Sequence, residues 1–140
     1  MTTGTSPIVS MQRIVAGVAL LFGLMTVVSG GRVALGLSDP GYMVFRPLLL
    51  YNTTMGVAYL VAGMLLWRWL RRGRAAAGVI FLLNLLVLAG ILAVYQRGGA
   101  VATESLKAMT LRTVVWLALF AGATWLVRAG NRRPPAARSG

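Results

Sequence analysis

Among the polar side chains that stand inside otherwise apolar stretches of this sequence, Ser29, Asn52, Tyr59, Asn84, Tyr95 and Arg112 are candidates for a shared cluster. Polar groups are costly in hydrocarbon and face protein there, so each marks either a bond between helices or a ligand contact. A guanidinium supplies a fixed positive charge, while phenol and carboxamide groups supply orientation. Such a set can bind. It is poorly equipped for catalysis, because the chain has no histidine and no cysteine, and its only acids are Asp39 and Glu104. No paired carboxylates, Ser/His set or phosphate loop is available, and "GGR" at residues 30–32 is too short to be one. The expectation is therefore no catalytic residue, no metal site and no cofactor.

These residues need elements to position them, and composition says which kind. The chain has 140 residues, of which 58% are hydrophobic and only 11% charged, against roughly 25% charged in soluble domains. Its mean hydropathy is +0.78. Four apolar segments, at about 11–31, 47–70, 75–96 and 105–127, each approach the ~20 residues that carry a helix across ~30 Å of hydrocarbon. "SDPG" at 38–41, "RRGR" at 71–74 and "RGGA" at 97–100 separate them, with Gly73 read as a helix cap. Residues 129–140 read as a disordered basic tail. The first segment is longer than the 7 to 15 apolar residues of a signal core and is expected to remain in the chain. The fold class is an all-α integral membrane protein, an antiparallel bundle of four transmembrane helices.

Charge gives the orientation. The net charge of +12 is carried by residues clustered at the ends of the apolar runs, a topology signal rather than a nucleic-acid footprint. Arg13, Arg68, Arg71, Arg72, Arg74, Arg128, Arg132, Arg133 and Arg138 fall on one side, and Arg32, Arg46, Arg97, Lys107 and Arg112 on the other with both acids. The excess of basic residues places both termini in the cytoplasm, and a bacterial-type inner membrane is the expected location. Trp67, Trp69 and Trp125 fall at the cytoplasmic ends of the second and fourth spans, where interfacial indoles belong.

Helical spacing then sorts the six polar residues. Asn52, Gly56, Tyr59 and Gly63 follow one stripe of the second span, and Phe81, Asn84, Leu88, Ile91 and Tyr95 one stripe of the third. Counted from the turn between the two, Tyr59 lies level with Asn84 and Asn52 with Tyr95. Two polar pairs bridging the spans are expected, serving as interhelical bonds or lining an outward pocket for a lipid, quinone or small anion. Arg112, sixteen residues before Arg128, comes level with about Ser29, Met55 and Gly90. Its guanidinium either snorkels to the outer headgroups or turns inward to Asn52, Tyr95 and Ser29. Glu104 and Lys107, one turn apart, are expected to form an exposed ion pair.

Several membrane classes fail on what the spans lack. A small proton-coupled multidrug pump needs a carboxylate within the membrane, a vitamin K epoxide reductase-like enzyme needs paired cysteines, and a four-helix b-type cytochrome needs histidines. One likeness remains. "RIVAGVALLFGLMTVVSGG" at 13–31 resembles the first helix of DoxX-like bacterial membrane proteins, and "GVAYLVAGMLLWRWLRRGRAAAGVIFLLNLL" at 56–86 is similar to their central hairpin. That family often carries an acid near the start of span two, where this chain has Asn52. The resemblance implies a four-helix bundle, in some members an accessory subunit of quinone-linked oxidoreductases, and implies no catalytic residue. The expected partners are the lipid bilayer and either other membrane subunits or further copies of the chain, and the expected function is a non-enzymatic accessory or structural role.

Overall fold

The computed structural model describes residues 6–39, 41 and 46–132. It is all-helical, with α1 Pro7–Ala34, α2 Arg46–Arg68, α3 Leu70–Gln96 and α4 Thr103–Asn131. Each helix is long and apolar enough to cross a membrane. α1 and α4 overrun the expected apolar segments at both ends and α3 at its start, because polar and basic turns there continue the same hydrogen-bond ladder, whereas α2 stops at Arg68, short of the expected residue 70. α4 reaches Asn131, so residues 129–131 are helical where tail was expected, and residues 133–140 lie outside the described residues.

Two helix ends use glycine in the same way. Gly36 (φ +69°) follows α1 and Gly98 (φ +78°) follows α3, each in the left-handed conformation that costs a residue without Cβ least. Gly36 N–H donates to Val33 O and Leu37 N–H to Arg32 O, while Gly98 N–H donates to Tyr95 O and Gly99 N–H to Val94 O. These paired bonds satisfy carbonyls that a helix end leaves open.

The connection from α2 to α3 works differently and corrects an expectation. "RRGR" is not a loop, and Gly73 is not a cap: α3 begins at Leu70, with Trp69 (φ −136°, ψ 87°) as the sole residue between the helices. Trp69 N–H still donates to Leu65 O, and Trp69 O already accepts from Gly73 N–H. A methyl on Gly73 would stand 2.5 Å from both the Cα and the N of Leu66. Residues seven apart in an unbroken helix are ~10 Å apart along its axis, so the chain doubles back at Trp69, and this close approach is what requires glycine. Gln12 of α1 completes the end of α2, its Nε2 donating to Leu66 O at 2.8 Å and Trp67 O at 3.3 Å.

α1 and α2 pack most closely, through glycines spaced seven apart on each. A Cβ at Gly23 would meet Leu60 N at 2.9 Å, one at Gly56 Val27 N at 3.0 Å, and one at Gly63 Leu20 N at 3.0 Å. Such contacts between backbones favour small residues, as membrane helix interfaces do. The core runs through Ala16, Ala19, Tyr59, Ala62, Leu66, Ala77, Trp116 and Ala123. A second cluster at the other end joins Leu48, Ile91, Val101 and Met109. Outward faces carry Ile14, Leu21, Met25, Leu50, Leu86 and Leu111, each more than half exposed, which suits contact with lipid tails.

α2 and α3 separate beyond their shared turn. Between them lies a groove of 830 Å³ whose walls include Val57, Val61, Val79 and Leu83, with Thr53 and Thr54 among its lining residues.

Candidate functional site

The polar residues of the interior meet at one level. Tyr59 and Asn84 are fully buried. Tyr59 Oη donates to Asn84 Oδ1 at 2.9 Å, and Tyr51 Oη donates to the same oxygen at 3.1 Å. One carboxamide oxygen has two lone pairs and here uses both, so a single side chain of α3 holds two of α2. On α4, Trp116 is also fully buried, with its ring centroid 4.8 Å from that of Tyr59 at 40°. Phe22 of α1 lies on Tyr59 as well, at 5.9 Å and 37°. Tilted rings at these separations suit the aromatic quadrupole. Each of the other three helices therefore places a side chain against Tyr59.

Arg112 lies on α4. It is half-buried, its Nη1 is shielded from solvent, and its charge acts on both the Tyr51 and Tyr59 phenols. The guanidinium thus approaches the tyrosine level. Thr26, Thr53, Thr110 and Thr113 donate to the carbonyls four residues back in their own helices, so their hydroxyls are already spent locally. Two donors at the site are not. Asn84 Nδ2 and Trp116 Nε1 are buried and have no hydrogen-bond partner, and an unmet buried donor costs about 1–3 kcal/mol.

The expected residues divide between this level and the surface. Tyr59 and Asn84 come together, with Arg112 beside them. Asn52 is half-buried with a buried Oδ1 that has no partner. Tyr95 is 44% exposed, so the expected Asn52–Tyr95 pair does not form, and Ser29 is exposed on α1. Glu104 and Lys107 are exposed, and no ion pair joins them among the described residues. Tyr51 and Trp116 are members that sequence reasoning missed. Tyr51 adjoins Asn52 but falls off the counted stripe, and Trp116 lies one helical turn after Arg112 and Thr113, a spacing that could have flagged it.

A second grouping occupies the end of the bundle where α2 meets α3. Arg13 lies 5.7 Å from the Trp67 ring, and Arg68 and Arg72 lie 6.0 and 5.5 Å from the Trp69 ring. Arg71 Nη2 donates to Asn131 Oδ1 at 3.1 Å. These are partly exposed cation–π and hydrogen-bond contacts of an interfacial layer.

Among the described residues no cluster of His, Cys, Asp or Glu has the makings of a metal site. The interior level offers hydrogen-bond donors and positive charge, with no acid to act as a base. Fold and site together define a four-helix protein with candidate membrane spans tied by a central Tyr–Asn–Trp level. No protein family, curated protein or solved structure matches the chain.

Proposed function

We propose that this chain is a small, non-enzymatic integral protein of a bacterial-type inner membrane, serving as an accessory or structural subunit of a larger membrane complex. The observation that carries this reading is the apolar groove between α2 and α3, an 830 Å³ opening between two helices already fixed to each other at Trp69 and at Asn84. A transmembrane helix of another subunit suits its apolar walls. The bundle is read as antiparallel with both termini cytoplasmic; the basic residues clustered with Trp67 and Trp69 support that orientation. The DoxX-like resemblance of residues 13–31 and 56–86 points to the same accessory role.

Photo-crosslinking side chains at Val57, Val61 or Leu83 in intact cells test it, with Leu117 on an outward face as reference. A discrete heavier adduct is expected from the groove positions and none from Leu117. Dimers of the chain alone would replace a foreign subunit with self-association, and recovery only as a lone monomer in mild detergent would overturn the reading.

Asn84 Nδ2 and Trp116 Nε1 favour a second reading, an outward-facing binding module. Both donors and the nearby Arg112 charge suit a ligand rich in acceptor oxygens, as a lipid headgroup, quinone or small anion is. Thermal stabilisation by a short-chain quinone or a lipid phosphate, lost in Asn84→Leu and Arg112→Ala, is the expected result. Equal stabilisation of these variants and the parent chain would sink this second reading.

A further inference from the structure

The interior level is not the only place where charge and shape coincide. At the opposite end of α2 from Tyr51, a crevice of 390 Å³ opens between the first turn of α3 and the last turns of α4, lined by Ile8, Leu70, Arg71, Arg72, Leu126 and Asn131 among others. Its volume falls in the ~300–1,000 Å³ range of small-ligand sites. We propose that this crevice binds the phosphodiester headgroup of one anionic phospholipid.

Three features support that occupant. The first is charge without compensation. The chain's two acids, Asp39 and Glu104, lie in the connection after α1 and in the first turn of α4, while Arg68, Arg71, Arg72, Arg74, Arg128 and Arg132 belong to the end that holds the crevice.

The second is placement by neutral partners. Asn131 holds Arg71 through its Oδ1 at 3.1 Å, and the Trp69 ring holds Arg72 at 5.5 Å. Both guanidiniums are positioned, yet neither contact neutralises them, so each keeps donors for an oxyanion. The third is amphipathy. Ile8, Leu70, Leu126 and Val127 give the crevice an apolar wall, and exposed Trp67, Trp69 and Trp125 mark the level where headgroups meet acyl chains. A free phosphate would use the arginines alone, whereas a phospholipid uses the arginines and the wall.

Native mass spectrometry of the full chain in mild detergent tests the proposal, titrating phosphatidylglycerol and phosphatidylcholine of matched acyl chains, with inorganic phosphate as competitor. One phosphatidylglycerol is expected to be retained in preference to phosphatidylcholine and to resist competition by phosphate. Arg71→Gln and Arg72→Gln should each weaken it roughly fivefold, and Arg97→Gln, at the other end of α3, should leave it unchanged. Asn131→Ala, which keeps both charges, should weaken it less than Arg71→Gln; its melting curve separates lost placement from lost fold. Equal retention of the two lipids, full displacement by phosphate, or an Arg97→Gln loss as large as that of Arg71→Gln would overturn the proposal.

Discussion

α2 is held by its two neighbours in opposite ways. Against α1 it packs through glycines, with Gly23, Gly56 and Gly63 bringing main chain to within a Cβ contact of main chain. Against α3 its backbone contact is at Gly73, beyond which the outward faces part to leave the groove, and it is tied across by Tyr51 and Tyr59 on Asn84. In a bilayer neither interface gains from excluding water, since lipid tails are as apolar as leucine. Packing contact must hold the first and hydrogen bonds the second. The contrast teaches that small residues and polar residues are alternative solutions to the same problem, and it predicts that substitutions at the two interfaces differ in size and in kind.

The largest effect is expected where packing is backbone against backbone. Gly73→Ala places a methyl 2.5 Å from Leu66 Cα and N, atoms that cannot move without opening the turn at Trp69. A loss of about 2 to 3 kcal/mol is expected, read from denaturant unfolding in detergent. Gly90→Ala is the internal reference: nothing lies within 4 Å of its added methyl, so it should hold or raise stability. If both glycine variants unfold alike, close approach does not set the stability of the turn.

Removing the polar tie should cost less. Asn84→Leu deletes the acceptor of two phenols, and membrane interhelical bonds average about 0.6 kcal/mol each with a maximum near 1.7. A total loss of about 1 to 2 kcal/mol is expected. Because Asn84 Nδ2 has no partner, the leucine variant also removes one unmet donor, which keeps the loss at the lower end. A double-mutant cycle with Tyr59→Phe should return coupling near 0.6 kcal/mol. Zero coupling would mean that shape alone joins α2 to α3. Tyr51→Phe comes next, at about 0.6 kcal/mol, since Tyr51 contributes one of the two bonds from a half-buried position.

The helices and their number were legible because hydrophobic run length is a strong signal and the breaks carry Gly, Pro or Arg. Tyr59 and Asn84 were legible too, because depth counted from a short turn is accurate near that turn. The count fails farther from Trp69, where Leu48 and Tyr51 of α2 pack with Ile91 of α3 and Tyr95 is left 44% exposed, which is why the expected Asn52–Tyr95 pair does not form. Gly73 was misread because a glycine beside arginines looks like a cap, and only geometry shows that it faces Leu66. Trp116 was missed for a different reason: tryptophan belongs to the interface by habit, and its place one turn after Arg112 and Thr113 was not counted as a stripe.

That failure supplies the smallest expected effect. Ser29 and Tyr95 share the sequence pattern of the interior residues, yet Ser29 is exposed and Tyr95 is 44% exposed in the last turn of α3. At that depth it is Ile91, one turn earlier on α3, that packs inward with Leu48 of α2, Val101 and Met109, and the Tyr95 ring lies outside that cluster. Neither hydroxyl bonds to another helix, so Ser29→Ala and Tyr95→Phe should leave unfolding and the Tyr59–Asn84 coupling unchanged. A Tyr95→Phe loss equal to that of Tyr51→Phe would show that α2 and α3 close on each other along their whole length, and the groove between them would then be a transient opening.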